Sequence, residues 1–80
     1  MEIKILGGGC AKCERLEELT REVVEELAVE AAFGHVKEMA EIMTYDVLST
    51  PALVIDDQVK VSGRIPRKAE IRAWIAESQS

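Results

Sequence analysis

Two periods organise the hydrophobic and polar positions of this chain. Ile3 and Ile5 alternate with Glu2 and Lys4, and Leu6 closes the run, which predicts a strand over 1–6. After Gly7-Gly8-Gly9 the spacing changes to threes and fours. Cys13, Leu16, Thr20, Val23, Val24 and Leu27 form one stripe of a helix predicted from Cys10 or Ala11 to about Ala28. Alternation from Val29 to Val36 is partial, and Ala31-Ala32 would also suit an extension of the helix; the run is read as a second strand over Glu30–His35, with Phe33 as its core residue. Glu38–Met43 reads as a short helix presenting Met39, Ile42 and Met43 on one face. Ala52–Ile55 is continuously apolar, as in a strand covered on both sides, and Gln58–Ser62 alternates like a half-exposed edge strand. Asp56-Asp57 between them is a turn signal, so the two form a hairpin. Gly63 ends it. Pro66 suits the first turn of a last helix whose buried face is Ile71, Trp74 and Ile75. The predicted order βαβαββα gives an α/β fold: a mixed four-stranded sheet, a parallel pair joined by a helical crossover, an antiparallel hairpin, and helices on both faces.

Composition narrows the function. Eighty residues, 48% of them hydrophobic, make one domain over 1–80 with one modest core. The formal net charge of −5 argues against nucleic acid, which needs a clustered positive surface. Much of the acidity lies in Glu14, Glu17, Glu18, Glu22, Glu25 and Glu26, read as the solvated side of the first helix. No long apolar span and no signal-peptide pattern occurs, so no membrane association and a cytoplasmic location are expected.

The two cysteines of the chain stand as Cys10-Ala11-Lys12-Cys13, between a strand and a helix. A bridge across so small a loop restrains the unfolded chain by roughly 2 kcal/mol, against about 4.7 kcal/mol for a loop of about 100 residues, so it is a poor staple. In a reducing compartment such a pair is catalytic or metal-binding rather than structural. Cys10 falls at the helix N-terminus, where unpaired N–H groups and the dipole favour a thiolate, and Lys12 adds positive charge. Cys13, one turn on, lies on the inner side. Cys10 is therefore the expected nucleophile and Cys13 the resolving thiol. The glycines lack the spacing of a phosphate-binding loop, and their role is to turn the chain and leave Cys10 uncovered.

Thr50-Pro51 directly precedes the buried strand, an unusual place for proline. An ordinary trans proline ending a loop is the reading the residues alone favour. A cis bond that brings the Thr50 backbone beside the cysteines, ready to pair with an extended substrate segment, is the other. Elsewhere the plain readings hold: Met39 and Met43 as core fillers, Trp74 as core, His35 as a solvated strand-end residue rather than a ligand or base, and Tyr45 with nothing to fix its place.

Ile3-Lys4-Ile5-Leu6-Gly7-Gly8-Gly9-Cys10-Ala11-Lys12-Cys13, Leu16, Thr50-Pro51-Ala52-Leu53-Val54-Ile55-Asp56 and Val61-Ser62-Gly63-Arg64-Ile65-Pro66 together resemble the thioredoxin-like superfamily. The likeness is greatest to the small archaeal and bacterial redox-active disulfide protein 2 group. The resemblance implies a thioredoxin-like fold, a cis Pro51 near the sulfurs, and thiol–disulfide exchange with disulfide-containing proteins, recharged by a reductase. It implies Gly9, Thr50 and Pro51 as the substrate-binding positions, a monomer, and no cofactor beyond the Cys10–Cys13 pair. Two departures from thioredoxins proper stand out: Gly9 precedes Cys10 where they carry Trp, and Lys4 stands where they place a buried acid.

The competing readings are a soft-metal carrier of the copper type and a non-catalytic thioredoxin-like adaptor. Two thiolates suit monovalent copper. Heavy-metal-associated domains, however, run strand, helix, strand, strand, helix, strand. The order predicted here differs, and no metal site is expected.

Overall fold

A computed structural model describes residues 1–7, 11–47 and 49–79. The elements follow the order β1 (Glu2–Leu6), α1 (Ala11–Glu26), β2 (Ala32–Val36), α2 (Met39–Met43), β3 (Ala52–Ile55), β4 (Gln58–Ser62) and α3 (Lys68–Gln79). The sheet order is β2-β1-β3-β4. β1 and β2 are parallel, with Ile3 opposite Phe33 and Ile5 opposite His35. β3 is antiparallel to both β1 and β4.

The period of two in β1 and β3 divides the core between the sheet's faces. Ile3, Ile5, Leu53 and Ile55 point to one side, where Leu16, Leu19, Val23 and Val24 of α1 and Ile71 and Ile75 of α3 close over them. Leu6, Ala52 and Val54 point to the other, where they meet Val36 and Ile42. Two helices thus cover one face and α2 the other. All of β3 is buried, as its unbroken apolar run requires.

The sequence expectations need four corrections. α1 ends at Glu26, so Leu27 is exposed and Leu19 takes its place in the buried stripe. The ending is a Schellman motif with alanine at the left-handed position: Ala28 has φ 53°, its N–H reaches Glu25 O, and the Val29 N–H reaches Val24 O. β2 begins two residues later than expected, at Ala32, and Phe33 on this edge strand is half-buried beneath the Arg21 guanidinium, 4.4 Å from its ring centre.

Met39 and Met43 are not core fillers; they are 66% and 64% exposed. A five-residue helix meets the sheet along one line, and Ile42 occupies it, while Tyr45 and Val47 fill the space beside it. Pro66 lies before α3, not in its first turn. Glu70 accepts a hydrogen bond from the Arg67 N–H at 2.8 Å, which makes Arg67 the cap and leaves Pro66 buried one place outside.

The hairpin turn is carried by Asp56 and Asp57, both with positive φ (47° and 65°), the backbone of a type I′ turn. Lys60 is the extra residue of a bulge, since Leu53 pairs with Val61 and Val54 with Val59. The acidic side of α1 does more than meet solvent. Lys68 of α3 reaches Glu22 (3.3 Å) and Glu26 (3.1 Å), and Arg72 reaches Glu26 (3.2 Å), tying the two helices together.

Candidate functional site

The C-terminal ends of the parallel strands β1 and β2, the first turn of α1 and the loop before β3 meet at one edge of the sheet. Gly7 is the hinge between them. Its N–H is held by Val36 O at 2.8 Å, and its φ is +119°, a conformation that side chains rarely adopt. A Cβ built on Gly7 would stand 2.8 Å from Cys13 Sγ and 3.1 Å from Thr50 Cβ. The absence of a side chain at position 7 therefore lets the sulfur and the Thr50 side chain close on the same backbone from two directions.

Cys13 is buried on the inner side of α1, and Lys12 beside it is exposed. Thr50 is exposed and Pro51 buried, and the peptide between them is cis. Pro51 O accepts the Gly63 N–H at 2.9 Å, which anchors the loop to the far end of β4. Cys10 and Gly9, two of the expected site residues, lie outside the described residues. The structure thus brings Cys13 and Thr50-Pro51 together across Gly7.

A pocket of about 190 Å³ opens beside Cys13, lined by Gly7, Cys13, Glu14, Glu17, His35 and Lys37. His35 is a solvated residue at the end of β2, as expected, and it also borders this pocket. The parallel register sets it opposite Ile5, two residues before Gly7, and its Nε2 lies 2.7 Å from Glu17 Oε1. Glu17 follows Cys13 by four positions, so both project from the same side of α1. The sequence signals for this pair are the four-residue spacing of Cys13 and Glu17 and the pairing frame of two parallel strands, and the second is not visible until β2 is placed.

Lys4 belongs to the opposite face of the sheet. Its ammonium donates to Tyr45 Oη at 3.0 Å, and this bond, foremost, raises its pKa above the ordinary lysine value. Tyr45, which the sequence left unplaced, is thereby fixed over the α2 face rather than in the Cys13 pocket.

Fold and site together define a thioredoxin-like domain. A family model described as "Thioredoxin domain" matches residues 1–76, and the chain belongs to that family. It is 42% identical over 72 residues to a thioredoxin of Methanothermobacter thermautotrophicus, a match that spans 90% of this chain and 94% of that protein. It is 37% identical over 70 residues to a thioredoxin of Methanocaldococcus jannaschii, spanning 88% of this chain and 80% of the other. In three dimensions it is similar to thioredoxin 1 of Thermosipho africanus, with a TM-score of 0.58, 12% identity and complete coverage of both chains, a likeness of fold. The thioredoxin relatives support a thiol–disulfide oxidoreductase role for this chain.

Proposed function

We propose that the protein is a protein-disulfide reductase working through Cys10 and Cys13. The Cys10 thiolate attacks a disulfide of a partner protein. One partner sulfur leaves as a thiolate and the other is joined to Cys10. Cys13, deprotonated, then attacks the Cys10 sulfur, forms the Cys10–Cys13 disulfide and expels the second partner sulfur. The partner gains two electrons and the dithiol loses them. A cytoplasmic reductase that supplies two electrons restores the dithiol. Lys12 stabilises the attacking thiolate. Gly9, Thr50 and Pro51 form the surface that receives an extended partner segment, its backbone pairing with that of Thr50 as an added strand would.

The observation that carries this reading is the convergence of Cys13 Sγ and Thr50 on Gly7, which puts the resolving sulfur next to the loop proposed to hold substrate. The observed element order also favours it over a soft-metal carrier, because a helix separates the second and third strands and a helix closes the chain.

The test is a trap. Cys13→Ser should accumulate covalent adducts with disulfide-containing proteins that dithiothreitol releases, because the first attack proceeds and the second cannot. Cys10→Ser should accumulate none. Equal trapping by both variants, or no trapping by Cys13→Ser under conditions where the unaltered protein reduces the same substrate, would overturn the assignment of roles.

A further inference from the structure

We propose that His35, oriented by Glu17, is the proton acceptor for Cys13 at the moment it attacks the mixed disulfide. The proposal rests on the exchange mechanism above and assigns a part of it that the two cysteines cannot perform. A thiol attacks only after losing its proton, and Cys13 is buried on the inner side of α1, away from bulk water. The pocket beside it is the route the proton can take, and it contains one imidazole and two carboxylates, Glu14 and Glu17.

Of these, Glu17 and His35 are arranged for the task. His35 Nε2 and Glu17 Oε1 are 2.7 Å apart, a hydrogen bond when the ring is neutral and an ion pair once it is protonated. The other oxygen of Glu17 takes a bond from Arg21 Nε at 3.3 Å, and Arg21 is itself settled over Phe33, on the same strand as His35. The carboxylate is thus pinned at both oxygens and orients the ring, the base-plus-orienting-carboxylate logic used wherever a thiol or hydroxyl must be activated. The pocket has room for a water molecule of about 30 Å³, so the transfer can run directly or through one. The charged groups around the ring are Glu14 and Glu17 from α1 and Lys37, the residue after β2, with Arg21 bonded to the far oxygen of Glu17.

The step balances. Cys13 S–H gives its proton to His35, which becomes an imidazolium held by Glu17. The Cys13 electron pair forms the bond to Cys10 sulfur, and the bond from Cys10 to the partner sulfur breaks. The departing thiolate takes up a proton from the imidazolium or from solvent. His35 accepts the proton, and Glu17 is a positioning residue that acts through it.

The experiment uses one equivalent of 5,5′-dithiobis(2-nitrobenzoate), an aromatic disulfide that releases one coloured thiolate when Cys10 attacks and a second when Cys13 closes the disulfide. The two phases are followed by stopped flow from pH 6 to pH 9.5 in the unaltered protein, His35→Gln, Glu17→Gln and Lys37→Gln. The expected result is that His35→Gln slows the second phase about tenfold or more near neutral pH, a floor set below the roughly 10²–10⁴-fold that a positioned general base supplies. The first phase should stay within about twofold. The deficit should shrink above about pH 9, where thiols ionise unaided. Glu17→Gln, which keeps an acceptor but loses the charge, should slow the second phase about threefold to tenfold, and Lys37→Gln less than about twofold. Second phases within twofold of the unaltered protein in both His35→Gln and Glu17→Gln, equal slowing of both phases, a deficit independent of pH, or a larger effect from Lys37→Gln would each overturn the proposal. A missing second phase in the unaltered protein would overturn the exchange mechanism itself, a result separate from any of these.

Discussion

The same chemical change at two glycines should move stability in opposite directions. Gly7→Ala places a methyl group 2.8 Å from Cys13 Sγ and 3.1 Å from Thr50 Cβ, against roughly 3.5–4.0 Å for a comfortable contact between carbon-sized atoms. Neither neighbour is the loose end of a long side chain. Cys13 is fixed in the first turn of α1, and Thr50 is joined to the buried Pro51. Relief requires moving a helix or the loop before β3, an overpacking cost of about 1–3 kcal/mol. The φ of +119° adds about 1–3 kcal/mol for any residue with a Cβ. The lower entropy of the unfolded alanine chain returns about 0.5–1 kcal/mol. The net loss is about 1–5.5 kcal/mol, out of a total that for a chain of this size is about 4–12 kcal/mol. Gly34→Ala meets none of this. Gly34 lies within β2, and its Cβ would find only Lys4 Cγ at 3.9 Å, so the entropic gain should stand nearly alone at about 0.5 kcal/mol. Urea denaturation followed by circular dichroism separates the two. With a slope of about 1 kcal/mol per molar urea, Gly7→Ala should lower the midpoint by about 1 M or more, and Gly34→Ala should raise it by about half a molar. A Gly7→Ala midpoint within half a molar of the unaltered protein, or a Gly34→Ala midpoint depressed as far as that of Gly7→Ala, would refute the argument that close approach at position 7 builds the site.

Two further expectations follow from helix ends. Ala28→Gly relieves a left-handed alanine worth about 1–2 kcal/mol, partly offset by the entropy of glycine, so the thermal midpoint should rise by about 3–6 °C in calorimetry; a fall would show that the Schellman ending is not the determinant. Two hydrogen bonds from the Arg64 guanidinium (2.9 and 3.0 Å), then the Arg67 N–H, hold the Glu70 carboxyl down at about 2. Its folded pKa lies below the ordinary 4.5, so its contribution is complete above about pH 4.5 and is lost as pH falls toward 2. Glu70→Gln should therefore lower the denaturation midpoint at pH 7 and show a shallower loss between pH 4.5 and 2; parallel curves for the two proteins would contradict the assignment.

The elements legible in the sequence are those whose burial is regular. β1, α1 and α3 repeat an apolar spacing over several residues because each has a face that must be covered, β3 is an unbroken apolar run because both its faces are covered, and β4 is marked by the Asp56-Asp57 turn before it. The features that escaped are set by partners distant in the chain. Where α1 stops is decided by Ala28 turning left-handed, a conformation that alanine does not advertise. Met39 and Met43 share helical spacing with Ile42, yet a single turn over a four-stranded sheet buries one residue, and Tyr45 and Val47 supply the rest of the cover. Pro66 is compatible with a first helical turn, but the backbone bond from Arg67 to Glu70 moves the start of α3 beyond it.

The site divides along the same line. Cys10-Ala11-Lys12-Cys13 and Thr50-Pro51 are read from the chain because their chemistry is local: two thiols one helical turn apart, and a proline where a strand should begin. In the chain Gly7 signals only part of a turn, although its close approach to Cys13 and Thr50 joins those two motifs in space. Glu17 and His35 were hidden for a different reason. Glu17 is one of six acids on α1, indistinguishable by composition from those that pair with Lys68 or meet water. His35 acquires a meaning only through the register that sets it opposite Ile5, two residues short of the glycine against which Cys13 packs. A parallel pair carries β1 and β2 to the same edge of the sheet, so what β1 delivers at its C-terminal end, β2 delivers as well. The helix that begins after β1 contributes a sulfur and, one turn on, a carboxylate. The strand that returns beside β1 contributes the imidazole. The pocket beside Cys13 is thus a product of the crossover itself, and that is why pairing geometry, rather than any motif, reveals it.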